Sequence, residues 1–425
     1  MTVRAAVVLA AGEGTRLRPL TRNRPKPMLP AADRPILEHV FDALIGAGIE
    51  RLHVVVGYKR DRVQDHFGPT YRNVPINYVV QEKQLGSGHA LLAAREGVAG
   101  EDGFLVVNGD QVIERRMVED VLDAFEGDGA SAMLAVTEQA DVSHYGAVVT
   151  EGDRVVELVE KPETDDYRLL NAGVYAFDGS IFDAVEETPR VQGELALTDT
   201  LVRLIQREAD EEEASGDESS AEGSSADDPS ADETTVRGVT TEGLWVDATY
   251  PWDLLDVSRE LLLQGRVTEP ERDDAVWVAD SATVHDDATL QGPVVVGPDS
   301  EVRPGAVVGP FTALGRNATV GANAVVERSV LDTDARVGPN STLIDCVTGQ
   351  GVALGANTTV PGGPGDVRVE DVVFEDQQLG ALVADRVRAD GDVSFAPGTL
   401  VAPRAHLHTG VTVSENVKER AEVLR

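Results

Sequence analysis

One cysteine, Cys346, occurs in the 425 residues of this chain. That excludes an intrachain disulfide and a zinc site built from several cysteines, and a lone cysteine of this kind reads as a small buried hydrophobe. Lysine is almost as scarce: Lys26, Lys59, Lys83, Lys161 and Lys418 are the only five. With 74 acidic against 37 basic residues, the formal net charge is -37. Nucleic acid and anionic membrane surfaces are excluded as partners, because both repel such a field. An acidic, lysine-poor surface suits solution at high salt, where screening weakens self-repulsion, so the chain reads as halophile-like. No apolar stretch approaches the ~18 residues that a membrane helix needs. The N-terminus also lacks the charged, apolar and cleavage regions of a signal peptide. The expectation is a cytoplasmic protein.

What is present is organised around Leu9 to Pro30, LAAGEGTRLRPLTRNRPKPMLP. The apolar run from Val3 to Leu9 predicts a buried parallel strand. Gly12 and Gly14 then predict a tight loop whose backbone can approach a ligand closely, with amide groups free to cradle phosphate. Arg16, Arg18, Arg22, Arg24 and Lys26 follow within a dozen residues of an otherwise acidic chain. A glycine loop, a cluster of cations and a following helix point to triphosphate chemistry. The spacing is neither GxxxxGK[ST] nor GxGxxG.

Up to about Leu204, apolar strand runs alternate with helical patterns. Strands are expected at Arg51–Val56, Ile76–Val80, Phe104–Val107 and Ser131–Val136. Helices are expected at Leu37–Gly46, Arg60–His66, His89–Arg95, Val118–Phe125 and Leu197–Gln206. This alternation implies a mainly parallel sheet with helices on both faces, and ligands at the carboxyl ends of its strands, where Gly12 and Asp110 would lie. Glu208 to Thr235 interrupts the order with twelve acidic residues and no basic one. Such a stretch cannot bury enough apolar surface to fold alone, and reads as a disordered insertion. Leu254 to Leu263 reads as a helix closing the first domain, with a linker around Glu269–Asp274.

A six-residue period begins at Val278 and continues through Val284, Leu290, Val296, Val302, Val308, Leu314, Val320 and Val326. Aliphatics every six residues, with small residues at the corners, predict a left-handed parallel β-helix of hexapeptide repeats. After a slip of one residue the period resumes at Leu331, Val337 and Leu343, then at Leu354 and Val360, and finally from Val383 to Val413. The domains expected are thus 1–268, with the insertion at 208–235, a β-helix at 275–415, and a tail at 416–425.

Taken whole, GEGTRLRPLT…RPKPMLP closely resembles the signature of the sugar-phosphate nucleotidyltransferases, the NDP-sugar pyrophosphorylases. The fold this implies is an α/β Rossmann-like nucleotidyltransferase domain followed by the all-β helix. By this resemblance Arg16 and Lys26 are catalytic, and Leu9, Ala11, Gly12, Gly14 and Thr15 bind the nucleotide. Gln81, with Gly86 and Ser87 of LGSGHA, looks like the segment that reads the base, in the form of the uridylyl- and thymidylyltransferases; a glutamine amide suits a pyrimidine imide edge. Gly146, Glu160, Lys161 and Asn171 match the sugar-phosphate segments in order. Asp110, at the strand-end GD, and Asp247, before the P-x-DLL helix, match the two metal carboxylates. Mg²⁺ is the cofactor expected on them. His89 is expected to cap or pack its helix, and Gly193-Glu194 is assigned no ligand.

The order of domains resembles the archaeal bifunctional enzymes that make UDP-N-acetylglucosamine, and the glucose-1-phosphate thymidylyltransferases. In the bifunctional enzymes the β-helix acetylates glucosamine 1-phosphate, using a histidine-leucine-x-tyrosine-x-glycine-aspartate segment before a late coil. Here that segment is Pro339-Asn340-Ser341-Thr342-Leu343-Ile344, and the only histidines of the β-helix are His285, His406 and His408. A general base at that place is missing. The expected activity is therefore formation of a UDP- or dTDP-sugar from UTP or dTTP and a hexose 1-phosphate. The β-helix is expected to serve assembly, as a trimer or hexamer. The alternatives are a bifunctional enzyme that keeps the acetyl transfer, and a non-catalytic assembly subunit.

Overall fold

A computed structural model describes residues 3–139, 142–164, 166–217 and 235–425. The chain divides into two units. The first comprises Met1–Gly12 and Leu37–Trp245, the second Glu13–Ile36 and Val246–Arg425.

The first unit is built on a ten-stranded sheet. Its strands are β1 (Ala5–Ala10), β2 (Arg51–Val56), β3 (Thr70–Tyr71), β4 (Val74–Val80), β5 (Phe104–Asn108), β6 (Ala132–Glu138), β7 (Gly146–Glu151), β8 (Arg154–Glu160), β9 (Leu169–Phe177) and β10 (Val236–Thr240), in the order β7-β8-β10-β6-β9-β5-β1-β2-β4-β3. The helices are α1 (Ile36–Gly46), α2 (Arg60–Phe67), α3 (Ser87–Ala93), α4 (Arg115–Asp128), α5 (Ile181–Glu187) and α6 (Leu197–Asp217). Ala5 to Val8 of β1 are wholly buried, as an apolar run covered on both faces requires.

Every strand and helix expected up to residue 136 is found. The expected parallel order holds for β5-β1-β2-β4, while β7, β8 and β9 pair antiparallel. The reason is local. Glu151 and Arg154 pair across the two residues Gly152-Asp153, with Gly152 at φ 67, and so short a connection joins only antiparallel strands.

Two expectations for this unit are corrected. Helix α6 does not stop at Gln206 but runs to Asp217, so the first part of the expected disordered insertion is helical. Glu and Ala are strong helix formers. Glu208 is moreover tied down, accepting from Arg237 Nη1 at 2.7 Å and lying 3.6 Å from Arg154 Nε. The remainder of the insertion, 218–234, lies outside the described residues.

The second unit carries the β-helix. Val276 pairs with Val294 and Val294 with Thr312, all parallel, so one coil takes eighteen residues in three faces of six. The expected positions point inward: Val296, Val302, Val308, Leu314, Val320 and Val326 are each at most 1% exposed. The slip is seen as Ala313 pairing with Val330 and Val330 with Val347, one coil then taking seventeen residues. A β-hairpin, Gly365–Val369 with Val372–Gln377, interrupts the coils where the period lapses after Val360. The coils resume when Ala381–Val383 pairs with Cys346–Thr348.

Three boundaries differ from expectation. Residues past 415 are no tail, because Glu422–Val423 forms a further rung on His406–Leu407; Val417 and Val423, six apart, carry the signal. The expected linker contains a strand, Glu271–Asp273, antiparallel to Val276–Val278. Helix α7 (Asp253–Leu263), expected to close a domain ending at 268, packs within the second unit on the coil strands Thr312–Leu314, Val330–Leu331 and Cys346–Thr348. It buries Leu254, Val257, Leu261 and Leu262 on one side, the stripe of an amphipathic helix.

Cys346 is wholly buried within the coils, and burial pushes its thiol up to about 12. The thiolate is the reactive form. Iodoacetamide at pH 8 is therefore expected to leave the folded protein unlabelled and to modify one thiol after denaturation; labelling of the native protein, read by mass spectrometry, would contradict this packing. Among the described residues, no helix is long and apolar enough to cross a membrane.

Candidate active site

In the first unit, β1 and β5 end side by side. Leu9 faces Asn108 in register, and the Gly109 amide donates to the Leu9 carbonyl at 2.9 Å. A Cβ on Gly109 would stand 3.1 Å from that carbonyl, so glycine is what lets the strand ends close. Half-buried Asp110 follows directly, at the carboxyl end of the sheet as expected. The Ala11 carbonyl is held from one side by the Tyr58 amide at 3.2 Å and Gln84 Nε2 at 3.0 Å. At Gly12 a Cβ would meet nothing within 4 Å. The loop is thus anchored on one flank and open on the other.

Gln81, buried at the end of β4, donates through Nε2 to the Gly86 carbonyl and contacts His89 Nδ1, each at 3.0 Å. Its amide nitrogen is thereby engaged within the chain. Burial holds the His89 imidazole below its usual range, with the Arg190 charge acting in the same direction; a neutral ring can accept from Gln81. Gly86 has φ 98, and a Cβ there would lie 2.3 Å from the Leu195 carbonyl oxygen. Ser87 accepts the Leu197 amide at 2.9 Å. Both residues therefore pack the start of α6, and Gly193-Glu194 leads into the same contact.

Gly146, Glu160 and Asn171 are brought together. Gly146 faces Glu160 across β7 and β8, and a Cβ on Gly146 would lie 3.4 Å from Glu160 Oε2 and 3.6 Å from Asn171 Cβ. Asn171 is fixed at both ends of its amide: Nδ2 donates to Tyr175 Oη at 2.8 Å, and Oδ1 accepts the Gly173 amide at 3.1 Å. Burial pushes the Tyr175 phenol up. Lys161 is exposed with φ 50, and its amide donates to the Tyr145 carbonyl at 2.8 Å. A left-handed lysine costs on the order of 1 kcal/mol or more and persists only where neighbours impose it.

In the second unit, Gly14 has φ 67 and a Cβ there would lie 2.8 Å from Lys26 Cβ. The Gly14 carbonyl accepts the Thr21 hydroxyl at 2.8 Å. Thr15 and Arg16 are exposed on the short 3₁₀ turn that follows, and Arg18 pairs with Glu13. Lys26 is buried, with Nζ 2.5 Å from Asp247 Oδ1; Asp247 Oδ2 accepts the Thr249 hydroxyl at 2.8 Å. Asp253 accepts the Thr249 and Tyr250 amides at the start of α7. Burial pushes its carboxyl up to about 6, the two amides opposing and the Asp247 charge adding. Asp110 and Asp247 are carboxylates, the oxygen donors a hard divalent cation prefers.

Sequence reasoning missed Arg24 as a partnered residue. Its side chain is 4% exposed, with Nη1 2.5 Å from Asp332 Oδ2 and Nη2 3.3 Å from Asp385 Oδ1. Burial alone would lower its pKa, and the two carboxylates outweigh that, so Arg24 stays charged. Burial pulls Asp332 upward while Arg24 opposes it. Lone aspartates in β-helix turns give no signal of such a partner. Thr249 was also missed, although its place two residues after Asp247 fits a local hydroxyl-to-carboxylate bond.

Residues 5–264 match the family described as Nucleotidyl transferase, and residues 290–416 match that described as GMPPB C-terminal domain. The chain is 30% identical to "Bifunctional protein GlmU" of Methanococcus vannielii, over 99% of this chain and 97% of that protein. It is 39% identical to "UTP--glucose-1-phosphate uridylyltransferase AglF" of Haloferax volcanii, over 47% of this chain and 83% of that one. A crystal structure of UDP-glucose pyrophosphorylase complexed with UDP-glucose aligns with 62% of this chain and 100% of its own, at TM-score 0.51 and 23% identity. A putative glucose-1-phosphate thymidylyltransferase from Bacillus anthracis aligns over 63% and 97%, at TM-score 0.52 and 21% identity. At these identities the two structures share the fold.

Proposed function

The chain belongs to the nucleotidyl transferase family, and from that membership we propose that it joins UTP or dTTP to a hexose 1-phosphate, releasing pyrophosphate. It is a sugar-1-phosphate nucleotidyltransferase; the pyrimidine, the sugar class and the residue roles are the reading offered here. The observation that carries those roles is the buried Lys26–Asp247 pair, which holds a cation and a carboxylate in place at the end of the signature loop.

In the reaction a phosphate oxygen of the sugar 1-phosphate attacks the α-phosphorus. The bond from that phosphorus to the bridging oxygen breaks, and pyrophosphate leaves. The protein's part is positioning and charge neutralisation. Gly12 offers a backbone open to the triphosphate, and exposed Arg16 with Lys26 offset its charge. The Gln81 side chain, steadied through its amide nitrogen by Gly86 and His89, presents its amide oxygen to the pyrimidine imide N–H. Gly146, Glu160 and Asn171 receive the sugar ring, with Lys161 on its phosphate. By the family signature Asp110 and Asp247 are each read as a carboxylate for Mg²⁺, which would supply charge stabilisation on the phosphates when bound.

The β-helix is read as an assembly element in a homo-oligomer, a trimer or hexamer. Relatives named as bifunctional raise the second reading, acetyl transfer to glucosamine 1-phosphate. The segment in question is occupied otherwise here. Ser341 Oγ donates to the Gly355 carbonyl at 3.2 Å and accepts the Thr358 amide at 3.1 Å, and Asn340 Oδ1 lies 3.4 Å from Asn323 Nδ2. These side chains join coil to coil and offer no general base.

A panel of nucleoside triphosphates and sugar 1-phosphates, scored by pyrophosphate release, tests the reading. UTP or dTTP is expected to be preferred over ATP and GTP by at least ~10²-fold in kcat/KM, the discrimination available to a site that hydrogen-bonds a base edge. Acetyl-CoA with glucosamine 1-phosphate is expected to release no CoA. A purine preference would overturn the base assignment, and steady CoA release would overturn the single-activity reading.

A further inference from the structure

The geometry points to a second metal site, on the outer face of the last coils, formed by His406, His408 and Asp390 and suited to a divalent ion of the zinc or nickel kind. Ligand atoms of the three residues all lie within 4.8 Å of one another. His406 Nε2 is 2.7 Å from Asp390 Oδ1, and His408 Nδ1 is 3.3 Å from Asp390 Oδ2, so one carboxylate bridges two imidazoles. The two rings lie 4.1 Å apart between centroids.

The β-helix explains the convergence. Arg388 pairs with His406 and Ala389 with Leu407, so the strand bearing Asp390 lies directly beneath the one bearing His406, with His408 just past its end. Ala389 and Leu407 point inward and are buried. By alternation, residues 388 and 390 and residues 406 and 408 then point outward on adjacent rungs. Rungs about 4.8 Å apart set the ligands on a rigid backbone, as a metal site requires.

A second observation comes from the other side of His408. Its Nε2 is shielded from solvent and makes no hydrogen bond, and Glu422 Oε2 of the next rung lies 3.8 Å away. A histidine that ligates metal through one ring nitrogen commonly gives the other N–H to a carboxylate, which fixes its tautomer. Glu422 stands in that place, since His406 pairs with Glu422 in register. Two imidazoles with one carboxylate favour zinc, nickel or copper over magnesium. The site is partly open, with the side chains of His406, His408 and Asp390 36%, 33% and 41% exposed, which leaves room for a water or an outside ligand. It lies in the second unit and shares no residue with the nucleotidyl transfer machinery.

The test is equilibrium dialysis of the full-length, tag-free protein against micromolar Zn²⁺ at pH 7.5, with millimolar Mg²⁺ present to fill carboxylate sites, and bound zinc read by mass spectrometry. The wild type is expected to retain one zinc per chain more than the double variant His406→Gln/His408→Gln. Each single variant should bind at least ~10-fold more weakly. Thermal melting in the absence of zinc and pyrophosphate release, both expected unchanged, show that the double variant is folded and active. Equal zinc content in wild type and double variant would overturn the site, as would the absence of bound zinc from both. Loss of zinc on replacing the histidines but not on Asp390→Asn would remove Asp390 from the ligand set and reduce the site to a histidine pair.

Discussion

Asp247→Asn and Lys26→Ala are each expected to lower kcat/KM for pyrophosphate release by about 10³-fold or more. Removing one preorganised charge aimed at developing phosphate charge costs roughly 3–4 kcal/mol in enzymes that depend on such groups. Lys26 and Asp247 are 2.5 Å apart and both nearly buried, so each variant removes a charge and releases its partner. Asn at 247 keeps the size of the side chain and an acceptor for the Thr249 hydroxyl, which limits the structural loss. Asp110→Ala is expected to fall in the same range, because its side chain stands at the strand end where β1 and β5 close. The measurement is steady-state turnover at saturating Mg²⁺, with a melting curve on each variant. Near-wild-type turnover in any of the three would remove that residue from the machinery.

The largest effect on stability is expected at Arg24. Arg24→Ala leaves Asp332 and Asp385, each 8% exposed, as two buried carboxylates without their shared cation. Breaking a buried ion pair from one side costs about 3–5 kcal/mol, which corresponds to a fall in melting temperature of roughly 5–15 °C. Arg24→Met combined with Asp332→Asn and Asp385→Asn should recover most of it, since a buried pair replaced as a whole is often neutral. The asparagines can still accept the Thr333 and Gln350 amides that these carboxylates take. If Arg24→Ala melts with the wild type, the ion pairs do not hold this loop.

Much of the architecture was legible because it is written in short periods. The runs Arg51–Val56 and Phe104–Asn108 are buried strands that announce themselves, and the six-residue period places Val296 to Val326 inward without ambiguity. What failed to show depends on partners distant in sequence. Glu208 belongs to an acidic stretch until Arg154 and Arg237 approach it, and then it continues a helix. Arg24 looks like one more cation of the signature until Asp332 and Asp385 enclose it. The glycines make the same point within the site. Gly12 and Gly86 read alike as ligand glycines, yet at Gly86 the Leu195 backbone itself forbids a Cβ, while at Gly12 the fold leaves the position open. A Gly12 constraint can come only from what binds there.

The Arg24 pairing also sets an order of events in biosynthesis. Arg24 and Asp385 are 361 residues apart in the chain, so the signature loop leaves the ribosome long before its second carboxylate exists. At about 5–20 residues per second, roughly 20–70 s of translation separate the two. During that interval the loop holds a cation whose buried partners are not yet made, although β1 just before it can already pair with β2. The signature loop thus gains its Arg24 anchor only once the late coils have been translated, and nascent chains without them carry the signature sequence but not that anchor.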